Sequence, residues 1–268
     1  MVPENPDYRG WGIIIATYAA FQARQNASGL SLIFAGGMRP DADAIAALAA
    51  IGGEGLPFAV THRPDVATGW LELLAWGLAF DLSGLSPAAP EPAPPLVHTF
   101  GYDGKAPPDV TEAVLLSPGS HLAGGQAMLP LVRTMAGLAA RLAALPGVQG
   151  VSWHPARSLV EPALFIRMVA AWLGGGAFPA LGLTALSRDP DGGLRSEGLS
   201  FFIGQEVRIE PFEGSPLPAA PRIAVRLIHS LVEDGPVHAP VDLEGPDGER
   251  LVAEPSANGA FVRVWRAG

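Results

Sequence analysis

Three polar side chains follow one predicted strand closely enough in sequence to form a single site. His154, Arg157 and Glu161 lie within eight positions of one another. A histidine beside an arginine and a carboxylate could act as the general base of a hydrolase or transferase, or could hold an anion. His121, in the glycine- and serine-rich stretch 117–125, is a fourth candidate for such a site.

The same residues also have a structural interpretation, which we favour. Ser158 and Glu161 are spaced as in a capping box, in which a hydroxyl and a carboxylate bond the free amides at the start of a helix. Trp153 is then a core residue and His154 a loop residue. The stretch 117–125 lacks both the Gly-Lys-Ser/Thr of a phosphate-binding loop and the Gly-x-Ser-x-Gly of a nucleophile elbow. We interpret it as a connector that carries a helix cap.

Metal-ligand spacing is missing from the sequence. The six histidines never occur as His-x-His or His-x-x-x-His, and the chain has no cysteine, so neither thiolate zinc sites nor disulfides are available. Asp189 and Asp191 resemble the start of a calcium loop, but no glutamate follows at the required offset, so a hairpin turn is predicted. His62, Arg63 and Asp65 fit a salt-linked turn. We predict no metal and no cofactor.

Composition restricts the partners. A net charge of −9 disfavours binding to nucleic acid, which needs clustered basic residues. Lys105 is the only lysine among 17 basic residues, which is typical of a GC-rich bacterial genome. No apolar run of about 18 residues is present, and the first residues do not resemble a signal peptide, so we expect a cytoplasmic protein without membrane spans. Alternation of Glu206, Arg208 and Glu210 predicts a solvated strand face.

Hydrophobic spacing predicts the elements that position these residues. Four helices are predicted, at 41–51, 126–145, 158–173 and 219–232. Strands are predicted at 11–18, 30–35, 58–61, 77–85, 96–100, 112–116, 148–153, 206–210, 241–243, 250–253 and 261–265. A further pair, 180–187 and 194–203, forms a hairpin about the turn 189–193. For 70–76, helix and strand remain alternatives.

The order of these elements indicates the fold class. The helices are too widely spaced for regular βαβ winding, so we predict an α+β fold with mixed or antiparallel sheets and about four helices. The proline-rich stretch 86–95 would connect an N-terminal subdomain, 1–85, to a C-terminal one, 96–268. The two subdomains pack against each other, or the whole chain forms a single domain.

One segment resembles a known family. Its features are Trp153 at a strand end, the helix start Glu161-Pro162-x-x-Phe165, Leu181-Gly182-Leu183, Gly192-Gly193, Gly198-Leu199 and the run from Phe202 to Pro211. With these features, 148–211 resembles a bacterial family of uncharacterised proteins, domain of unknown function 4261. Because these are packing and turn positions, the resemblance implies a fold and assigns no catalytic residue.

These observations favour a non-catalytic binding or protein-interaction module, with a protein partner or a second copy of the chain. The alternative is a hydrolase or transferase whose site assembles around His154, Arg157 and Glu161, with His121 nearby. A pocket that holds several of these side chains would favour the enzyme. Separate side chains in structural contacts would favour the binding module.

Overall fold

The computed structural model describes residues 29–51, 55–92, 94–104, 106–109, 112–211, 219–245 and 248–267. The strand predicted at 11–18, the helix stop at Gly52-Gly53 and Lys105 lie outside these residues.

Fourteen β-strands and six α-helices lie within the described residues. The strands are β1 (Leu30–Phe34), β2 (Ala59–His62), β3 (Trp70–Ala75), β4 (Leu78–Ser83), β5 (His98–Phe100), β6 (Glu112–Pro118), β7 (Val148–Trp153), β8 (Ser158–Val160), β9 (Ala185–Arg188), β10 (Leu194–Glu197), β11 (Glu206–Ile209), β12 (Val241–Glu244), β13 (Arg250–Pro255) and β14 (Phe261–Arg266). The helices are α1 (Ala42–Ala50), α2 (Leu129–Leu142), α3 (Pro162–Leu173), α4 (Ala180–Leu183), α5 (Ser200–Ile203) and α6 (Ala219–Asp234). Short 3-10 turns occur at Val66–Thr68, Ser120–Gly125 and His154–Ala156.

An eight-stranded sheet has the order β2-β3-β4-β6-β1-β7-β8-β5. Adjacent strands of this sheet are antiparallel, except for β5 and β8, which are parallel. Strand β1 lies near the centre of this sheet, and all five of its residues are buried. Strands on both sides of the proline-rich stretch 86–95 pair within this sheet, so the stretch joins two parts of one sheet.

A six-stranded sheet has the order β12-β13-β14-β11-β10-β9. Strands β11 and β14 are parallel, and the other pairs are antiparallel. One face of this sheet is apolar, because alternate residues of β11 and β14 point to the same side of the sheet. Val207 and Ile209 on β11, with Val262 and Val264 on β14, are buried there. The fold is therefore α+β with two mixed, mostly antiparallel sheets, as predicted.

Both sheets share one hydrophobic core. Helices α2 and α3 contact each other and the eight-stranded sheet, whereas α6 contacts the six-stranded sheet through β10 and β11. Trp153, at the end of β7, packs edge-on against Phe201 in α5, with ring centroids 5.3 Å apart, and stacks near Phe202. Such aromatic pairs stabilise the packing beyond the area that they bury. The tryptophan is 1% exposed, which confirms its prediction as a core residue.

The longer helices agree well with those predicted from the sequence. Asp41 caps α1, because its side chain accepts a hydrogen bond from the amide of Ala44 at 2.8 Å. The buried stripe of α6 includes Ile223, Ile228 and Leu231, as the three- and four-residue spacing predicts. Four helices longer than one turn were expected, and four are present within the described residues.

The ambiguous segment 70–76 is a strand. Val66–Thr68 forms a 3-10 turn, and β3 then pairs along its whole length with β4 in a tight hairpin. The strand predicted at 77–85 is thereby confirmed as β4. Leu71 and Leu73 are fully buried between exposed or half-buried neighbours, which is the period of a half-buried strand.

The hairpin about residues 189–193 is present, but both of its strands are shorter than predicted. In 180–187, residues Ala180–Leu183 form helix α4, and Thr184 donates hydrogen bonds back to the Ala180 carbonyl. In 194–203, Gly198 has φ +91°, in the left-handed region that favours glycine, and helix α5 begins just beyond it. The apolar runs Leu-Gly-Leu and Phe-Phe-Ile fit a helical turn and a strand equally well, and tertiary packing decides between them.

Candidate functional site

His154 lies against the centre of the eight-stranded sheet. It begins the 3-10 turn after β7, and its amide donates to the Gly29 carbonyl at 3.3 Å. Its Nε2 lies 2.8 Å from Ser31 Oγ, at hydrogen-bond distance. A serine hydroxyl beside a histidine is the geometry of an activated nucleophile. However, Ser31 is 1% exposed and lies on a strand that is paired on both sides, so Oγ is shielded from solvent.

Arg157 belongs to a different contact, between the two sheets. It ends the same 3-10 turn with φ +47°, and its Nε donates a hydrogen bond to Glu197 Oε1. The second carboxylate oxygen of Glu197 lies 2.9 Å from His98 Nε2. Glu197 ends β10 in the six-stranded sheet and His98 begins β5 in the eight-stranded sheet, so one carboxylate connects the two sheets.

The electrostatics of this connection favour an ionised carboxylate. Partial burial alone would raise the pKa of Glu197. The hydrogen bonds and positive charge of Arg157 and His98 outweigh that effect, so the pKa lies below its ordinary value. The side chain of Arg157 is 46% exposed, which limits how strongly the pair stabilises the fold.

Glu161 caps helix α3 alone. Its Oε1 accepts from the Ala163 amide at 3.0 Å, and its Oε2 accepts from the Leu164 amide at 2.7 Å. The predicted capping box is wrong, because Ser158 lies in β8, opposite Trp153, and is fully buried. Pro162 takes the first helical position, where a missing amide costs nothing, so the helix begins three residues later than the capping box required.

His121 lies in the 3-10 turn that follows β6. Since β1 separates β6 from β7 in the sheet, His121 and His154 leave the same end of the sheet on opposite sides of β1. Burial and the charge of Glu72 raise the pKa of Asp81, while a hydrogen bond from Trp70 and the charge of His121 act against this rise.

The predicted helix cap in 117–125 is wrong. This stretch contains the 3-10 turn Ser120–Gly125, and α2 begins only at Leu129. Met128 takes the cap position and makes no side-chain cap. Pro130 at the second helical position lacks an amide, which reduces the number of free donors that a cap would serve.

An open cleft of about 1040 Å³ lies beside the start of α3. Its walls come from the loop after β5, the first residues of β7 and the first turns of α3. Asp103 and Arg167 line it with opposite charges, and neither forms an ion pair or a hydrogen bond with a described residue. Of the four candidates from the sequence, only Glu161 lines this cleft.

Tyr102 forms part of the same cleft. Its hydroxyl donates to the Gln149 carbonyl at 2.9 Å. Burial, together with the negative charge of Glu161, raises the pKa of Tyr102 to about 12. The phenol is therefore a neutral hydrogen-bond donor across the physiological range and holds the loop after β5 against β7.

The structure thus separates the predicted residues and adds partners that the sequence did not single out. Ser31 is 123 positions from His154, and His98 is 99 positions from Glu197. No local sequence pattern relates residues at such separations. Strand pairing brings Ser31 to His154, and packing between the two sheets brings His98 to Glu197. Glu206 also differs from its prediction as part of a solvated face. Its carboxylate accepts hydrogen bonds from the amides of Gly198, Leu199 and Ser200.

Among the described residues, no group of three or more histidine, aspartate or glutamate side chains could hold a metal ion. In the same part of the chain, no helix has the length and apolar character needed to cross a membrane. The resemblance of 148–211 to domain of unknown function 4261 stays a prediction. No family model, no curated protein and no solved structure matches this chain.

Proposed function

We propose that the protein is a non-catalytic binding module that holds its partner in the cleft between the loop after β5 and helix α3. One observation carries this proposal: three of the four candidate catalytic side chains take part in separate contacts. His154 contacts Ser31, Arg157 contacts Glu197, and Glu161 caps α3 with both of its oxygens. A reaction would need such groups around a common point in a pocket.

The charges of the cleft support a partner that carries both signs. Asp103 and Arg167 have no partner among the described residues, and each is exposed. A ligand with one ammonium and one carboxylate group would satisfy both, with the carboxylate bound by the planar guanidinium of Arg167. A mixed-charge segment of a partner protein, or of a second copy of the chain, has this chemistry.

The setting of the proposed module is the cytoplasm of a bacterium. Support comes from the absence of cysteine and from the bias toward arginine, since Lys105 is the only lysine. The net charge of −9 supports a protein partner over nucleic acid.

A hydrolase or transferase is the second candidate, and the contact between Ser31 and His154 favours it. The 2.8 Å separation suits proton transfer from a hydroxyl to an imidazole. Against it stands the burial of Ser31, which is 1% exposed. A substrate would have to displace neighbouring strands or side chains to reach the hydroxyl.

Binding of short peptides tests the proposed function. The probes are the acetylated, amidated tetrapeptides Lys-Ala-Ala-Glu and Glu-Ala-Ala-Lys, with Gln-Ala-Ala-Gln as the uncharged reference, observed by saturation-transfer NMR. We expect the charged peptides to bind the wild type and to lose binding in Ala163→Trp, which fills the cleft. Ala170→Trp, on the same helix but outside the cleft, should bind like the wild type. The proposal would be contradicted if the charged peptides bound Ala163→Trp and Ala170→Trp equally, or if they did not bind the wild type.

A further inference from the structure

Three arginines lie side by side on the outer face of the six-stranded sheet. The register of β10 and β11 places Arg195 opposite Arg208, and that of β11 and β14 places Arg208 opposite Arg263. We call these three residues the arginine row. Directly opposite side chains on one sheet face have Cβ atoms about 4.5–5.5 Å apart, so like charges there repel each other. An arrangement of this kind needs compensating anions.

Three acidic residues pair with the three arginines, but several of these contacts are long. Arg208 pairs with Asp191, with Asp189 at 3.4 Å and with Glu210 at 3.4 Å. Within the part of the chain that the structure describes, Arg195 reaches only Asp189, at 3.5 Å. These longer separations exceed the distance of about 2.7–2.9 Å that a charge-assisted hydrogen bond prefers. The Nε of Arg208 is buried, and its 3.4 Å contact with Glu210 Oε2 does not reach hydrogen-bond geometry.

Donors of the arginine row also remain available at its two ends. Arg263 donates from Nε to Glu210 at 2.7 Å, and this is its single ion pair among the described residues. Its side chain is 56% exposed, and that of Arg195 is 48% exposed. A guanidinium offers five N–H donors, so most donors of these two side chains have no acceptor among the described residues.

A pocket of about 380 Å³ opens beside the arginine row. Ser256 and Phe261 complete its lining, and none of the three compensating acids lines it. The residues that line the pocket therefore supply three cations, a hydroxyl and an aromatic ring. Its volume lies in the range of about 300–1,000 Å³ that small-molecule sites occupy.

We propose that this pocket binds the phosphoryl group of a small phosphorylated ligand. A phosphomonoester carries about −1.5 to −2 charges and several acceptor oxygens. The planar forks of several guanidiniums bind such a group better than a single carboxylate, because each fork can donate two parallel hydrogen bonds. The ring of Phe261 borders the space where a planar group next to the phosphate would lie. This site goes beyond the proposed function and shares no lining residue with the cleft.

Calorimetric titration of the full chain, in buffer free of phosphate and sulfate, tests the site. The probes are AMP and O-phosphotyrosine, with adenosine and tyrosine as their unphosphorylated references. We expect the wild type to bind at least one phosphorylated probe and neither reference, and the tighter probe distinguishes a nucleotide from a phosphorylated amino acid. Arg195→Gln and Arg263→Gln should each weaken binding at least about tenfold, since each removes charge-assisted hydrogen bonds.

The matched control is Arg250→Gln. Arg250 lies on β13 of the same sheet, its side chain is 74% exposed, and it does not line the pocket. The Arg250→Gln variant should bind the probes with the affinity of the wild type. Thermal unfolding of every variant verifies that it is folded. Absence of binding by both phosphorylated probes would overturn the proposal, as would equal affinity in wild type, Arg195→Gln and Arg263→Gln. The Ala163→Trp cleft variant should still bind the probes, so failure of the two proposals can be told apart.

Discussion

Ser31 Oγ and His154 Nε2 lie 2.8 Å apart although 123 positions separate the two residues in sequence. The register of the sheet explains this contact. Ser31 on β1 pairs with Ser152 on β7, and residues two apart on a strand point to the same face. His154 follows Ser152 by two positions, so its side chain lies on the same face of the sheet as the hydroxyl of Ser31 and contacts it. In the proposed module, this contact attaches the turn after β7 to the centre of the sheet.

Replacing Ser31 tests this structural role. Ser31→Ala should lower the free energy of unfolding by about 1 kcal/mol, because a buried hydrogen bond is lost. Urea denaturation followed by circular dichroism measures the change. Ser83→Ala is the control: Ser83 is half-buried on the same sheet, and its hydroxyl makes no hydrogen bond with a described residue. The control should change stability by less than about 0.5 kcal/mol, and equal effects of the two substitutions would contradict this role.

Glu197→Gln should destabilise the protein in a pH-dependent way. At pH 7 the loss should be about 1–2 kcal/mol, since the hydrogen bonds from Arg157 and His98 weaken when the carboxylate is replaced. The folded-state pKa of Glu197 is lowered from the ordinary 4.5, so the carboxylate stabilises the fold fully above that value. This stabilisation is lost as the pH falls through the folded-state pKa.

Urea denaturation at several pH values checks this prediction for Glu197. The difference between wild type and variant should shrink below about pH 4. Glu244→Gln is the control, because Glu244 is exposed on β12 and forms no ion pair with a described residue. A difference for Glu197→Gln that grows as the pH falls below about 4 would contradict the inferred pKa direction.

Tyr102 should ionise late in an alkaline titration. The difference in ultraviolet absorbance between wild type and Tyr102→Phe isolates this phenol, and its midpoint should lie near pH 12. Because the unfolded phenol ionises near 10.0, the wild type should lose stability relative to Tyr102→Phe as the pH rises from 10 toward 12. A midpoint at 10 would contradict the burial of the phenol and its contact with Gln149.

Glu161→Ala and Ser158→Ala distinguish the observed helix start from a capping box. Glu161→Ala should cost about 1 kcal/mol, since both oxygens cap amides of α3. Ser158→Ala should be neutral or stabilising, because its buried hydroxyl has no hydrogen-bond partner among the described residues. Thermal or urea unfolding compares the two variants. A loss of equal size for both would indicate that Ser158 contributes to the cap.

The sequence predicts elements with strong periodicity well. The stripe of α6, the buried strand β1 and the alternating strand β11 each bury the residues that their spacing indicates. Short apolar runs are harder, because four residues cannot separate a period of 3.6 from a period of 2. Helices α4 and α5, at Ala180–Leu183 and Ser200–Ile203, were therefore predicted as strand.

The candidate site could be predicted only in part. Residue type identified His154, Arg157 and Glu161 as polar groups near a strand end, but their partners depend on sheet register and on packing between sheets. Ser31 and Glu197 are distant in sequence and carry no motif. The alternation of charge in β11 revealed which residues share a face, yet it could not distinguish Glu206, which binds three amides, from Arg208 in the arginine row.

An assay of turnover by the purified chain tests the proposal that the protein is a binding module and not an enzyme. Wild type and His154→Ala would be assayed on a panel of esters, phosphate esters, glycosides, peptides and acyl or phosphoryl donors, with His62→Ala as a control distant in sequence from the candidate residues. We expect that the wild type, His154→Ala and His62→Ala convert no substrate faster than a protein-free blank does. Turnover by the wild type and His62→Ala that disappears in a folded His154→Ala would contradict it and would establish the enzyme.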